Sequence, residues 1–163
     1  MAVLSQVSEQ FIKELYLGEH DLEGHTIMCA LLGPGFDVSF DPSEANHSTY
    51  PLLFDKAGDD DEVAEANGYL TGGLELSSAG TPVISVDIVA GEVVVSCDNA
   101  VWEAAVGSIG AALAAVVYNA SHANTTVICC IEFGATYTTT VGTQLEIDFS
   151  NGLTKGVPNP VVI

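Results

Sequence analysis

Apolar residues near the start of the chain recur at helical spacing, at Val7, Phe11, Ile12 and Leu15. Ser5 or Ser8 can cap the start of such a helix with its hydroxyl oxygen, and Gly18 is suited to end it. The pattern predicts one short helix over residues 5–16, with its apolar residues near one stripe.

From Asn67 onward, runs rich in Val, Ile, Thr and Tyr are separated by Gly, Asn, Pro and Asp. This alternation is typical of short strands joined by turns. A hairpin is predicted where Ile84–Ile88 and Glu92–Cys97 flank the turn at Ala90-Gly91. Residues 26–32 have the composition of a buried strand ended by Gly33-Pro34-Gly35.

Gly107–Asn119 is ambiguous, because its alanines favour a helix on propensity alone. We interpret it as a buried strand that follows a glycine turn. With about seven or eight strands and one helix, the chain is predicted to be all-β. We expect an antiparallel β-sandwich or jelly-roll-like barrel, with residues 1–163 forming a single domain.

Two segments depart from this pattern. Residues 35–66 are predicted to form one long insertion loop, which contains an apolar patch at Tyr50–Phe54 and an acidic run at Asp59–Glu62. We interpret the acidic run as a solvated face, with weak cation binding as the alternative. Residues 157–163 are predicted to be an extended tail whose prolines exclude a central strand.

Charge narrows the possible partners. The 163 residues include 3 Lys and no Arg against 22 Asp plus Glu, so the formal net charge is −19. A surface with so few cations cannot neutralise phosphates, which argues against nucleic-acid binding. Every apolar run is shorter than the ~18 residues that a spanning helix needs, so no membrane is expected as a partner. The first residues lack the basic and apolar regions of a secretory signal.

The candidate chemistry is sparse. The four cysteines, Cys29, Cys97, Cys129 and Cys130, are expected to be reduced core residues, with disulfides as the alternative. The histidines lack helical metal-ligand spacing, and no serine lies in a nucleophile elbow. We therefore expect no catalytic residue, no cofactor and no metal. Trp102 is interpreted as a core aromatic, with carbohydrate stacking as the alternative.

Several segments, in this order, resemble those of small tailed-bacteriophage virion structural proteins. They are the helix ending near Gly18-Glu-His-Asp-Leu, the strand Thr26–Leu32, Asn67-Gly-Tyr-Leu-Thr-Gly-Gly-Leu-Glu-Leu, Asp98-Asn-Ala-Val-Trp-Glu-Ala, Gly107-Ser-Ile-Gly with Ala115–Asn119, and Leu145-Glu-Ile-Asp-Phe-Ser-Asn-Gly. The resemblance implies a virion component with no active site. For a compact acidic β domain we expect the role of a capsid decoration (cement) protein on the outer capsid surface, assembled in the host cytoplasm. The expected partners are the major capsid protein and further copies of this chain, as a trimer. A tail, neck or fibre component and a carbohydrate-binding adhesion module are the alternatives.

Interfaces are expected where apolar residues lie in segments that should not be core. Such residues occur in the helix, in the loop patch and in the tail. The candidate interface residues are Phe11, Tyr50, Leu52, Leu53, Phe54, Val161, Val162 and Ile163.

Overall fold

The computed structural model describes residues 4–36, 40–43, 47–50, 62–76, 84–89, 92–149 and 159–162. In chain order the elements are β1 (Leu4–Val7), α1 (Glu9–Tyr16), β2 (Ile27–Leu32), β3 (Leu74–Glu75), β4 (Ser85–Val89), β5 (Glu92–Ser96), β6 (Ala100–Glu103), β7 (Ala112–Asn119), β8 (Val127–Tyr137), β9 (Gln144–Asp148) and β10 (Asn159–Val162). Every pairing between these strands is antiparallel, so the predicted all-β class is confirmed.

The strands form a five-stranded sheet with the order β1-β8-β7-β2-β3, a three-stranded sheet with the order β10-β9-β6, and the predicted β4-β5 hairpin. The ambiguous alanine-rich segment is the central strand β7. Its residues are buried from Ala114 to Asn119, on both faces of the sheet. Small side chains at Ala114 and Ala115 suit this position, because one faces each of two packed layers.

The main core lies between the two larger sheets, as in a β-sandwich. Alternate residues of the five-stranded sheet, such as Leu31, Val117 and Ile131, belong to the same buried cluster as Trp102 and Ile147 of the three-stranded sheet. Residues of the β4-β5 hairpin join this cluster too. The sandwich alternative of the predicted fold is therefore the one adopted, and neither sheet closes into a barrel within the described residues.

A second buried cluster covers the opposite face of the five-stranded sheet. Phe36, Phe40 and Tyr50, from the predicted insertion loop, pack there against strand residues such as Val116 and Cys130. Single bridges pair Leu32 with Glu62 and Thr49 with Thr126. We call residues 36, 40–43 and 47–50 the cover segment, because Phe36, Phe40 and Tyr50 pack over this face of the sheet, whereas Val63 belongs to the main core. This packing explains the aromatic residues in a segment predicted to be a loop.

The helix is shorter than predicted, because the residues before it extend the sheet. Ser5, Gln6 and Val7 pair with β8 in β1, so they are not helical. Ser8 is the N-cap, as predicted, and its side chain accepts from the Phe11 N–H. At the other end Glu19 N–H donates to Glu14 O and Gly18 N–H to Leu15 O, with Gly18 at φ +74°. This is a Schellman ending, which the predicted glycine stop permits.

The end of the chain and the thiols agree with expectation. β10 pairs only with β9 and therefore lies at a sheet edge, where Pro160 is tolerated. All four cysteines are free thiols. Burial raises the pKa of Cys129 and of Cys97 to about 12, and that of Cys29 and Cys130 above the usual range.

No helix among the described residues has the length and apolarity to cross a membrane.

Candidate functional site

The underside of α1 buries a carboxylate. Glu14 is only 3% exposed, although a glutamate in a surface helix normally faces water. Its Oε2 lies 2.7 Å from the Thr126 hydroxyl, which donates to it, and 3.0 Å from His20 Nε2. Gln10 Nε2 donates to Oε1 at 2.7 Å. These contacts join the helix to the start of β8 and compensate the buried charge.

Asn119, the last residue of β7, determines which ring nitrogen of His20 carries the proton. Its Oδ1 accepts the backbone N–H groups of Ser121 and His122 at 3.0 and 3.1 Å, so its Nδ2 must face the histidines. That amide donates to Nδ1 of His20 and Nδ1 of His25, both at 2.9 Å. An Nδ1 that accepts has no proton, so neutral His20 carries its proton on Nε2 and donates it to Glu14.

His122 completes the cluster from the β7–β8 connection. The single hydroxyl proton of Thr126 goes to Glu14, so the Thr126 oxygen accepts from His122 Nδ1 at 2.8 Å. His122 Nε2 lies 3.6 Å from a Glu19 carboxylate oxygen. The His122 ring also packs on the His20 ring at a centroid distance of 4.6 Å, so any charge on one is felt by the other.

The surroundings shift two of these groups. Burial lowers the pKa of His20, and the nearby His122 and His25 lower it further, against the opposing effect of Glu14. Burial alone would raise the pKa of Glu14, but hydrogen bonds from Gln10, Thr126 and His20 outweigh it and the pKa is lowered. The cluster is therefore most favourable with an ionised Glu14 and a neutral His20.

The same atoms raise the question of a metal. One ligand-type atom each from Glu14, His20 and His122 lies within 4.8 Å of the others. A histidine that ligates a metal through one nitrogen normally donates an N–H from the other. His20 Nδ1 instead faces the Nδ2 donor of Asn119, whose orientation two backbone bonds determine. The arrangement does not fit a metal, and it fits a hydrogen-bonded network.

We accordingly expect zinc to leave the stability unchanged. A twofold molar excess of Zn²⁺, or of EDTA, should shift the melting temperature by less than about 1 °C, because ligand binding would have to stabilise the native state to raise it. Differential scanning fluorimetry at pH 7.5 measures this. Saturable stabilisation by Zn²⁺ that is lost in His20→Gln would contradict the network interpretation.

Sequence reasoning missed this cluster, because it looked for helical ligand spacing. Glu14 and His20 are 6 residues apart and separated by the helix end, and Thr126 is 112 residues from Glu14. Neither separation is a recognisable motif. The local signal is that Glu14 lies on the same side of the helix as Phe11. The stripe of apolar residues alone does not show that this side is buried.

A second carboxylate, Glu62, connects Tyr50 of the cover segment to residues that precede β3. Its Oε1 accepts from the Tyr69 hydroxyl and from Gly72 N–H, both at 2.6 Å, and its Oε2 accepts from the Tyr50 hydroxyl at 2.8 Å. Tyr50 stacks on Tyr118 at 3.9 Å between centroids. Burial, followed by the Glu62 contact, raises the pKa of both Tyr50 and Tyr69. The prediction that Asp59–Glu62 is a solvated run is wrong at Glu62, and residues 59–61 lie outside the described residues.

Large apolar side chains are exposed in and directly after α1. Tyr16 is 88% exposed and Leu17 63%, and Ile12 and Leu15 are each more than two-fifths exposed. Phe11, predicted as an interface residue, is instead 3% exposed within the core. The helix thus buries a glutamate, while four large apolar residues in or directly after it are exposed, among them Ile12 and Leu15 of the predicted stripe. We call Ile12, Leu15, Tyr16 and Leu17 the helix face.

A second exposed apolar group lies around β6. Leu70 and Val101 border one shallow depression. Ala105 borders this depression and a second one beside it, and the next residue, Val106, is exposed. Gly142 borders the second depression, and the preceding residue, Val141, is exposed. We call Leu70, Val101, Val106 and Val141 the β6 face. Both depressions are open to solvent, which suits contact with another surface.

The other predicted interface residues are only partly placed. Tyr50 is half-buried in the contacts just described, so it is mainly a packing residue. Leu52, Leu53, Phe54 and Ile163 lie outside the described residues. Val161 and Val162 are in β10, for which the backbone alone is described.

Trp102, the leading residue for carbohydrate stacking, is not available to a sugar. It is 3% exposed and packs in the main core, with its ring 6.2 Å from that of Tyr69. Its indole N–H has no hydrogen-bond partner among the described residues. The interpretation of Trp102 as a core aromatic is confirmed, and the adhesion alternative loses its best residue.

Comparison with known proteins adds no relative. No family model, no curated protein and no solved structure matched the chain.

Proposed function

We propose that this chain is a virion structural protein of tailed bacteriophages, and that it acts as a capsid decoration protein on the outer shell. The observation that carries the proposal is the helix face. Four large apolar side chains in or directly after α1 are exposed, while the same helix buries a glutamate. Large apolar side chains that remain in water within one short segment are typical of a surface that another protein covers.

Charge indicates the chemistry of that partner. The exposed charged residues in and directly after α1 are Glu9, Lys13, Glu19, Asp21 and Glu23, so acidic groups outnumber the single lysine. Together with the net charge of −19 this produces a negative potential around the helix face. A partner surface that combines apolar contacts with Lys and Arg is complementary to it. We propose that the major capsid protein supplies this complementary partner surface.

A non-enzymatic role is supported by the use of the polar groups. The buried carboxylate Glu14 and the half-buried Glu62 both accept hydrogen bonds from within the protein, and they hold the helix and the cover segment in place. A catalytic carboxylate would instead be directed at a substrate-sized pocket.

We propose that the β6 face mediates self-association as a trimer, which native mass spectrometry tests directly.

The docking prediction concerns Tyr16 and Leu17. Replacing both with serine should weaken shell binding at least tenfold, because burying one such side chain contributes about 1.5–3 kcal/mol and each 1.4 kcal/mol is tenfold in affinity. Shells assembled from the major capsid protein of the same genome, without this chain, are mixed with the purified protein. Co-sedimentation gives the affinity, and the temperature of shell disassembly gives the stabilisation.

The control replaces Ala135 and Thr136, two exposed residues near the end of β8, with serine. This variant should bind as the wild type does. Failure of the wild-type protein to bind shells would refute the decoration role, and binding to purified tails or necks would replace it with the alternative. Equal binding by both variants would show that the helix face is not the contact.

A further inference from the structure

We propose that the side chains beneath α1 form an acid-sensitive latch, which frees the C-terminal end of the helix when the pH falls below neutral. The histidine latch consists of Glu14, His20, His25, Asn119 and His122. Its opening would rearrange the helix face, so the consequence for docking rests on the proposed function. The opening itself is a property of the isolated chain.

The central element of the latch is the side-chain amide of Asn119, whose orientation is determined by its hydrogen bonds. Asn119 Oδ1 accepts two backbone N–H groups, from Ser121 and His122, in a turn that closes the end of β7. Its Nδ2 therefore presents both protons to His20 Nδ1 and His25 Nδ1. Rotating the amide would turn its N–H groups toward two backbone donors, leave Ser121 N–H without its side-chain acceptor, and place an acceptor opposite each histidine Nδ1, although His122 N–H would keep its 3.4 Å contact with Asn119 O.

Protonation of His20 conflicts with this geometry. The new proton would sit on Nδ1, directly opposite the Nδ2 donor at 2.9 Å, so the bond to Asn119 must break. The groups that face the ring are Glu14 and Phe11 from α1, His25 from the connection to β2, and His122 from the β7–β8 connection. Among the described residues Glu14 is the one anion that contacts the ring, while positive charge on His25 or His122 lowers the pKa of His20 further.

The latch supports a large part of the contact between the end of α1 and the sheet. The described links there are Glu14 to Thr126, His20 to Asn119, and the Phe11 ring 4.9 Å from that of His20. At the other end, Ser8 N–H donates to Ile128 O and does not depend on a titrating group. Opening should therefore begin at the C-terminal end, where Tyr16 and Leu17 are located.

The expected pH range follows from the direction of the shift. Burial lowers the pKa of His20 in the folded protein, so the unfolded or open state binds the proton more readily. The stabilisation by the latch is complete above the ordinary pKa of 6.5 and is lost as the pH falls through the lowered value. Glu14, whose pKa is also lowered, contributes a separate loss only below its ordinary 4.5.

Hydrogen exchange tests the latch without any partner. Exchange is followed by mass spectrometry between pH 7.5 and 5.0, with correction for the intrinsic rate, in peptides covering 9–25 and, as an internal reference, 112–119. Protection of residues 9–25 should fall at least tenfold at pH 5.0 while that of β7 is retained. Equal protection of 9–25 at both pH values would overturn the latch.

Two variants separate the mechanism from general acid sensitivity. Asn119→Asp keeps the acceptor for the two backbone N–H groups and replaces the donor opposite His20 with a second acceptor, so protonated His20 becomes compatible and opening at pH 5.0 should disappear. His20→Gln can make both bonds with a group that does not titrate, and it should also stay closed. If both variants are folded at pH 7.5 by circular dichroism and yet open as the wild type does, the latch is refuted.

Shell binding at the same two pH values tests the consequence. Wild-type protein should bind at pH 7.5 and lose at least tenfold in affinity at pH 5.0, whereas Asn119→Asp should bind equally at both. Pronounced exchange in 9–25 with unchanged shell binding would refute regulation of docking while the latch stands. Absence of shell binding at either pH would refute the proposed function, and the exchange result alone would then decide the latch.

Discussion

Replacing Gly73 with alanine should lower the free energy of unfolding by about 3 kcal/mol or more. Gly73 lies directly before β3 at φ +79°, and an added Cβ would lie 1.9 Å from the carbonyl oxygen of Cys29 in β2. That oxygen belongs to the backbone of a buried strand and cannot move without disturbing the β2–β3 pairing. Urea unfolding followed by tryptophan fluorescence measures the effect.

Gly142→Ala provides a matched control. Gly142 has a similar φ of +82°, but nothing lies within 4 Å of its added Cβ. This variant should lose about 1 kcal/mol from the backbone conformation alone. If the two variants were equally stable, the close approach of Gly73 to β2 would not be what excludes a side chain there.

Replacing Glu62 with glutamine should cost about 2–4 kcal/mol, since charge-assisted hydrogen bonds contribute about 1.5–3 kcal/mol each. The variant retains one acceptor oxygen for Tyr69 and Gly72 and turns the other position into a donor facing the Tyr50 hydroxyl. The cover segment should then loosen from the sheet. Thermal unfolding gives the loss of stability, and near-ultraviolet circular dichroism reports on the stacked Tyr50 and Tyr118.

Glu65→Gln removes the same charge three positions away. Glu65 is exposed and accepts one bond, from Thr71 N–H at 3.2 Å, so its loss should stay below about 0.5 kcal/mol. A Glu62→Gln protein as stable as Glu65→Gln would show that Glu62 does not connect the two segments.

Local pattern was sufficient where the decisive interactions are local. The hairpin of β4 and β5, the cap at Ser8 and the stop at Gly18 each depend on residues close together in sequence, and all three were predicted. Strand β7 was also predicted, as a buried strand after a glycine turn, although its alanines favour a helix on propensity alone. Strand β1 was not, since its four residues form a strand only through pairing with β8, more than a hundred positions away.

The hydrophobic periodicity of the sequence did not predict the candidate site, for a similar reason. A stripe at Phe11, Ile12 and Leu15 indicates an amphipathic helix without saying which edge of the stripe is buried. The helix is rotated so that Phe11 and Glu14 face inward, because Thr126 and His20 offer hydrogen bonds to the carboxylate. Thr126 and His20 lie outside the helix, so the sequence of the helix alone does not indicate that they bind Glu14.

The state of the four thiols has a practical consequence for handling the protein in air. A thiol must lose its proton before oxygen, peroxide or another disulfide can react with it at an appreciable rate. Cys29, Cys129 and Cys130 are buried, and all four thiols have raised pKa values, so the thiolate form is rare in neutral water. Prolonged exposure to air should therefore leave the chain neither cross-linked nor dependent on a reducing agent.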